Sequence, residues 1–246
     1  MDKRILEIKE HSPILITGAA RSGTSLVAGI INICGAFGGQ MSGPTNNNRK
    51  GMFENARIRN FIVKPYLRDI GVDKMGQYPL PNVNKLIIPQ NWDNKFRQIM
   101  IMEGYQEGQW MYKGAKMCLI WPVLHFNFPD SKWVIVRRES NDIVNSCLKT
   151  GFMRAFKNQA NLKRLFVANE ADGWKWWVNQ HLLRFDEMKQ AGLQIKEIWP
   201  EKFINGNYSE IKETIEWLGL EYKENEINKF IDPKLWKTRQ KIKGIK

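Results

Sequence analysis

Residues 14–31 read ILITGAARSGTSLVAGII. Ile14, Leu15 and Ile16 form an apolar, β-branched run of the length of a buried strand. The run breaks at Thr17-Gly18 into a loop of small residues, Gly18-Ala19-Ala20-Arg21-Ser22-Gly23. Thr24 or Ser25 is then expected to cap a helix carrying Leu26, Val27, Ile30 and Ile31. Strand, glycine-rich loop and helix N-terminus make an anion cradle, because the unpaired N–H groups and the dipole of a first helical turn favour a phosphate. Gly18 and Gly23 match the outer glycines of the phosphate loop G-x-x-x-x-G-K-[ST], but Thr24 stands where that motif has its lysine. The ammonium that would reach the β/γ-phosphates of a nucleoside triphosphate is missing, and another cation, Arg21, lies inside the loop. The expected ligand is an anionic nucleotide held without the magnesium–triphosphate arrangement. Read alone, the segment also suits a plain strand-to-helix turn.

A second stretch, KWVIVRRESNDIVNSCLK (residues 132–149), repeats the logic. Lys132–Val136 reads as a strand that delivers Arg138 to the sheet edge, and Ser140 or Asn141 as the cap of a helix carrying Ser146. A guanidinium and a hydroxyl converging there suit a separate phosphate, which Arg binds bidentately. Two phosphates at opposite ends of one ligand point to a nucleoside bisphosphate. Arg137 alternates with Arg138 and is expected to face the other way.

Trp110–Tyr112 and Leu193–Ile198 are further candidate strands, the first ending at Lys113-Gly114. Helices are expected over Leu119–Phe128, Glu170–Gln190, Ser209–Leu218 before the C-capping Gly219, and Glu224–Ile231. A helical period from Phe53 to Leu67 is expected to break at Pro65, and residues 35–50 to form a mobile loop. The fold class is α/β: a phosphate-loop-like parallel sheet of four to five strands flanked by helices, with ligands at the carboxyl ends of the strands. Arg21, Lys113 and Arg138 all follow predicted strands on that one edge.

The chain of 246 residues suits a single domain, and its 43% apolar content with ten tryptophans can bury a sizeable core. Trp174, Trp176 and Trp177 are read as packing residues, as are His125 and His181 on apolar helix faces. A formal charge of +13 favours anionic partners. Cys34, Cys118 and Cys147, odd in number and far apart, read as buried free thiols of a reducing compartment, and no metal site is expected. No apolar run reaches a membrane-spanning length, and the N-terminus lacks a signal-peptide core, so a cytoplasmic protein is expected.

GAARSGTS and VRRESNDIVNS together resemble the two nucleotide-binding motifs of sulfotransferases that use 3′-phosphoadenosine 5′-phosphosulfate (PAPS). RKGMFEN (residues 49–55) is similar to that family's N-P-x-G-[YF]-[WF]-E-[ND] segment. YKGAKMCL (112–119) resembles its V-K-D-P-R-L-C-L, and FPDSK (128–132) its F-P-D-A-K. IEWLGL (215–220) and FIDPKL (230–235) look like its closing helices. The resemblance implies one sulfotransferase-like domain over residues 1–246, with the unmatched segments 72–108 and 152–170 as helical acceptor-side insertions. It implies that Gly18, Arg21, Ser22, Gly23, Thr24 and Ser25 hold the 5′-phosphosulfate, with Arg21 on the leaving oxygen, and that Arg138 and Ser146 hold the 3′-phosphate. Lys113 would stabilise the transferring sulfuryl group and Glu54 would take the acceptor's proton. The product is adenosine 3′,5′-bisphosphate, and the acceptor a small molecule or carbohydrate rather than a nucleic acid. Ala20 replaces the family's usual proline, Gly114-Ala115 its Asp-Pro, and Arg239, Lys241 and Gly244 match its C-terminal Arg-Lys-Gly segment poorly. A phosphate-loop phosphotransferase and a non-catalytic polyanion- or nucleic-acid-binding module are the competing readings.

Overall fold

A computed structural model describes residues 3–236. Among them four strands, β1 (Ile14–Thr17), β2 (Met111–Lys113), β3 (Lys132–Val136) and β4 (Gln194–Ile198), form one parallel sheet in the order β2-β1-β3-β4. Leu15, Tyr112, Trp133 and Ile135 point into the core on one face. Ile14, Ile16, Met111, Val134 and Val136 point into the core on the other. Both faces are covered, which is why β1 and β3 read as unbroken apolar runs.

The first face is covered partly by α1 (Lys3–Glu10), and the second by α2 (Thr24–Ile33). A π-helical turn, Ile58–Val63, runs into α3 (Lys64–Asp69), and these with α4 (Trp92–Met102) and α5 (Trp121–Asn127) complete the first face. A third cluster joins α6 (Ser140–Leu148), α7 (Gln159–Leu165) and the first half of α8 (Glu170–Gln190) around Phe156, Trp174 and Trp177. The short α9 (Pro200–Ile204), α10 (Ser209–Leu218) and α11 (Glu224–Phe230) close the second face. Gly219 ends α10 in the left-handed conformation, as expected.

Several local expectations differ from the structure. Neither Thr24 nor Ser25 caps α2. Gly23 occupies that position at φ 100°, Thr24 is already helical, and the Ser25 hydroxyl donates to the Met52 carbonyl instead. Likewise Glu139, not Ser140 or Asn141, precedes α6. Pro65 does not break its helix. It sits in the first turn of α3, where its missing N–H is tolerated, directly after the wider π turn. Residues 35–50 are tied down by bridges from Phe37 to Trp110 and from Met41 to Asn55. The helices α1 and α9 have no counterpart among the sequence expectations, and Arg239, Lys241 and Gly244 lie outside the described residues.

The three cysteines are buried and unpaired, and burial pushes the thiols of Cys118 and Cys147 up to about 12. Among the described residues no helix is long and apolar enough to cross a membrane, and no group of three or more His, Cys, Asp or Glu side chains is placed to hold a metal ion.

His181, on α8, is a core residue, with Nδ1 2.8 Å from the Trp177 carbonyl oxygen and its ring against the Trp177 indole. Burial lowers its pKa to about 4, with the carbonyl contact opposing that effect and Arg184 adding to it. The unfolded chain, whose histidine titrates near 6.5, therefore binds more protons than the folded one between pH 6.5 and 4. Stability falls as pH drops through that window, by roughly 2 kcal/mol at pH 5 from this group, and levels off below about pH 4. Urea unfolding at pH 7.5 and pH 5 should show this loss in the wild type and a smaller one in His181→Phe. An equal acid loss in both would place its source elsewhere.

Candidate functional site

A cavity of about 620 Å³ opens where β1, β2 and β3 end. Arg21, Gly23, Thr24, Ser25, Glu54, Lys113, Arg138 and Ser146 all line it, so eight expected residues from five chain segments meet at one place. Two do not reach the surface of the cavity. Gly18 and Ser22, also in the loop, are buried and do not line the cavity. At Gly18 a Cβ would stand 2.5 Å from the Val136 carbonyl oxygen and 2.8 Å from Ser22 Oγ, so only glycine lets β1 turn so close to the end of β3. Ser22 Oγ is fully buried and has no hydrogen-bond partner among the described residues.

Lys113 owes its position to strand alternation. Met111 faces the second core, Tyr112 the first, and Lys113, the last residue of β2, returns to the α2 side. Its Nζ donates to Ser25 Oγ at 3.3 Å and to the Met52 carbonyl at 3.1 Å, at the first turn of α2. Burial pulls the Lys113 pKa below its ordinary value, Glu54 opposes this, and Lys116 and Arg59 reinforce it. For Glu54, burial alone would raise the carboxyl. Lys116, Lys113, Arg59 and Lys64 together outweigh it and hold the group below the usual range, so it is ionised at neutral pH. Its Oε1 accepts no hydrogen bond among the described residues.

The Arg21 side chain reaches across to α6: its Nε donates to Ser146 Oγ at 3.0 Å, which places the guanidinium beside Ser146 and Arg138. Arg21 takes φ 77°, in the left-handed region that non-glycine residues rarely adopt. Arg138 Nη1 in turn donates to the Arg21 carbonyl at 2.9 Å, fixing that turn. The second anchor thus holds two guanidiniums and one hydroxyl, and the cation at the start of α2 is Lys113. Burial is the main cause that lowers the pKa of both arginines, yet arginine remains charged.

Arg137 faces the opposite side as expected, paired with Glu197 at 2.5 Å and stacked on Phe185 and Trp199. Of the two unmatched segments, only Met75 and Phe152 line the cavity, and much of residues 72–108 is core, with Trp92, Phe96 and Met100 of α4 buried. Two neighbours of the second anchor escaped sequence reading. Glu201 lies 3.8 Å from Arg138 Nε. The Trp236 indole covers the Arg138 guanidinium at 4.4 Å and abuts Gly23, where a Cβ would clash with it at 2.7 Å. Neither sits in a motif, because one is on a five-residue helix and the other follows the last one.

The architecture matches solved structures at low sequence identity. Sulfotransferase STF9 from Mycobacterium avium aligns with a TM-score of 0.51 over 89% of this chain and 67% of that one, at 11% identity. The sulfotransferase domain from the curacin biosynthetic pathway aligns with a TM-score of 0.51 over 90% and 78%, at 12% identity. This is the sulfotransferase fold. No family model matches the chain, and no curated protein matches it. Within this sulfotransferase-fold chain, the glycine loop, Lys113 and the Arg138–Ser146 pair occupy one edge of the sheet. Lys116, which stands at the arginine of the V-K-D-P-R-L-C-L segment, joins that edge together with Arg59 and Lys64, which lie in none of the quoted motifs.

Proposed function

We propose that this protein transfers a sulfuryl group from PAPS to a hydroxyl or amine of a small-molecule or carbohydrate acceptor. The observation that carries this reading is the meeting in one cavity of two anion anchors. One is the α2 N-terminus with Lys113, and the other is Arg21, Arg138 and Ser146. A single phosphate needs only one of them, whereas a bisphosphate nucleotide uses both. Two buried polar atoms support such a ligand: Ser22 Oγ in the loop and Trp236 Nε1 beside Arg138 have no hydrogen-bond partner among the described residues.

When bound, the donor supplies an activated sulfuryl group on a 5′-phosphate leaving group. Gly23, Thr24 and Ser25 hold that phosphate with backbone N–H groups and hydroxyls. Lys113 neutralises the charge that builds on the bridging oxygen. Arg21, Arg138 and Ser146 hold the 3′-phosphate and so set the register of the nucleotide. Glu54, already ionised, accepts the acceptor's proton on its carboxylate.

Calorimetry tests the reading. Adenosine 3′,5′-bisphosphate should bind equally well with and without a chelator, and Mg-ATP should bind at least about tenfold more weakly, since it lacks the second anchor's ligand. Absence of bisphosphate binding sinks the proposal. Preferential binding of Mg-ATP would favour a phosphotransferase.

A further inference from the structure

Around Glu54 the cavity holds more positive charge than the proposed donor uses. Among the described residues its lining has nine Lys and Arg side chains and two carboxylates, Glu54 and Asp232. Arg21 and Arg138 belong to one anchor and Lys113 to the other. Three further cations gather on the buried Glu54. Arg59 Nη1 lies 3.6 Å from its Oε2 and Lys116 Nζ 3.6 Å from its Oε1. Lys64 lines the same cavity and has no hydrogen-bond or ion-pair partner among the described residues.

The π-helical turn explains how they come together. In an α-helix, residues five apart point in different directions. The i→i+5 bonding of a π turn sets them nearly one above the other, so Arg59, within the turn, and Lys64, directly after it, present their charges to one wall. Lys116 reaches the same wall from the opposite side, its stem packed over Gly76. The crowding is felt: the Lys64 ammonium is held below its ordinary value by burial first and then by repulsion from Arg59 and Lys116, with Glu54 opposing. Three cations against one carboxylate in a cavity wall are uncompensated, and a bound oxyanion offsets them.

We propose that Arg59, Lys64 and Lys116 form a subsite for an oxyanion of the acceptor, so that the sulfated substrate is itself an anion carrying a carboxylate, phosphate or sulfate near the reacting hydroxyl. The inference rests on the donor reading above, because it assigns to the acceptor the charge that the donor leaves over. Glu54, in the middle of the three, then touches both the anion's cations and the reacting hydroxyl. That arrangement limits the acceptor to one whose hydroxyl and anionic group lie close together.

The test uses inorganic phosphate, titrated by calorimetry into protein saturated with adenosine 3′,5′-bisphosphate so that both donor anchors are filled. Phosphate should bind the wild type, and its Kd should rise about tenfold in Lys64→Met and in Arg59→Met, with the bisphosphate Kd changed by less than about twofold. No phosphate binding to the saturated protein, or a phosphate Kd in both variants equal to that of the wild type, overturns the subsite. A second arm compares PAPS with the bisphosphate. If Lys64→Met weakens PAPS tenfold more than the bisphosphate, the cluster serves the donor's own sulfuryl group and the acceptor assignment falls. Should the bisphosphate not bind the wild type at all, phosphate titrated into the free protein separates the two ideas. Dependence on Lys64 and Arg59 keeps the anion site and rejects the donor, and independence rejects both.

Discussion

Replacing Arg138 by alanine should weaken binding of adenosine 3′,5′-bisphosphate by about 100-fold, and of adenosine 5′-phosphosulfate, which has no 3′-phosphate, by no more than about threefold. The magnitude follows from burial. A charge-assisted pair with a phosphate, formed by a guanidinium that is only 8% exposed, is worth a few kcal/mol, far more than a surface ion pair. The asymmetry follows from geometry. Arg138 stands with Arg21 and Ser146 at the second anchor, while the loop and Lys113 hold the other end. Arg138 also fixes the Arg21 carbonyl and faces Glu201, so its loss disturbs the loop somewhat, and the second ligand serves as the control. Equal losses on both ligands would make Arg138 a loop-positioning residue and remove the 3′-phosphate assignment. Calorimetry on both ligands, with circular dichroism to check the fold, decides between these.

Lys113→Met should lower the turnover of labelled PAPS by about 10²–10³-fold and weaken the bisphosphate, whose 5′-phosphate the same ammonium faces, by no more than about tenfold. Methionine matches the length and buried apolar stem of the lysine, so packing is largely retained and the charge alone is removed. Lys113 is 4% exposed and held by Ser25 and Met52, so its ammonium is placed before any ligand arrives. A fixed donor of that kind acts most strongly where charge develops in the transition state. The product bisphosphate keeps the 5′-phosphate but has no transferring sulfuryl group, so its binding should register the change less than turnover does. A drop in affinity with unchanged kcat would make Lys113 a ground-state phosphate ligand. Unchanged values of both would exclude it from the chemistry.

The strands and long helices were legible because their signals are local. Lys132–Val136 and Glu170–Gln190 carry their periods and boundary residues within a few positions of themselves, and the structure has them at those bounds. Lys113 and Arg138 were also legible, since a charged residue directly after an apolar strand in a parallel sheet lands on the ligand edge. The caps were misread because Thr24 and Ser140 have the right chemistry for capping, while the backbone turns one residue earlier, at Gly23 and Glu139. The direction of the Arg21 side chain was not legible at all, since its partner Ser146 lies on α6, 125 positions away.

The amino-acid sequence alone determined the alternation that buries the sheet on both faces, the glycine spacing of the loop, and the two basic strand ends on one edge of the sheet. These are properties of neighbouring residues, and local sterics and hydrophobic burial enforce them. Only the tertiary structure decided that Arg21 meets Ser146 and Lys113 meets Ser25, that Trp236 lies over Arg138, and that Arg59, Lys64 and Lys116 share one wall with Glu54. Those outcomes depend on a π turn and on contacts between segments far apart in the chain, and no local pattern encodes a contact whose two halves are selected by packing.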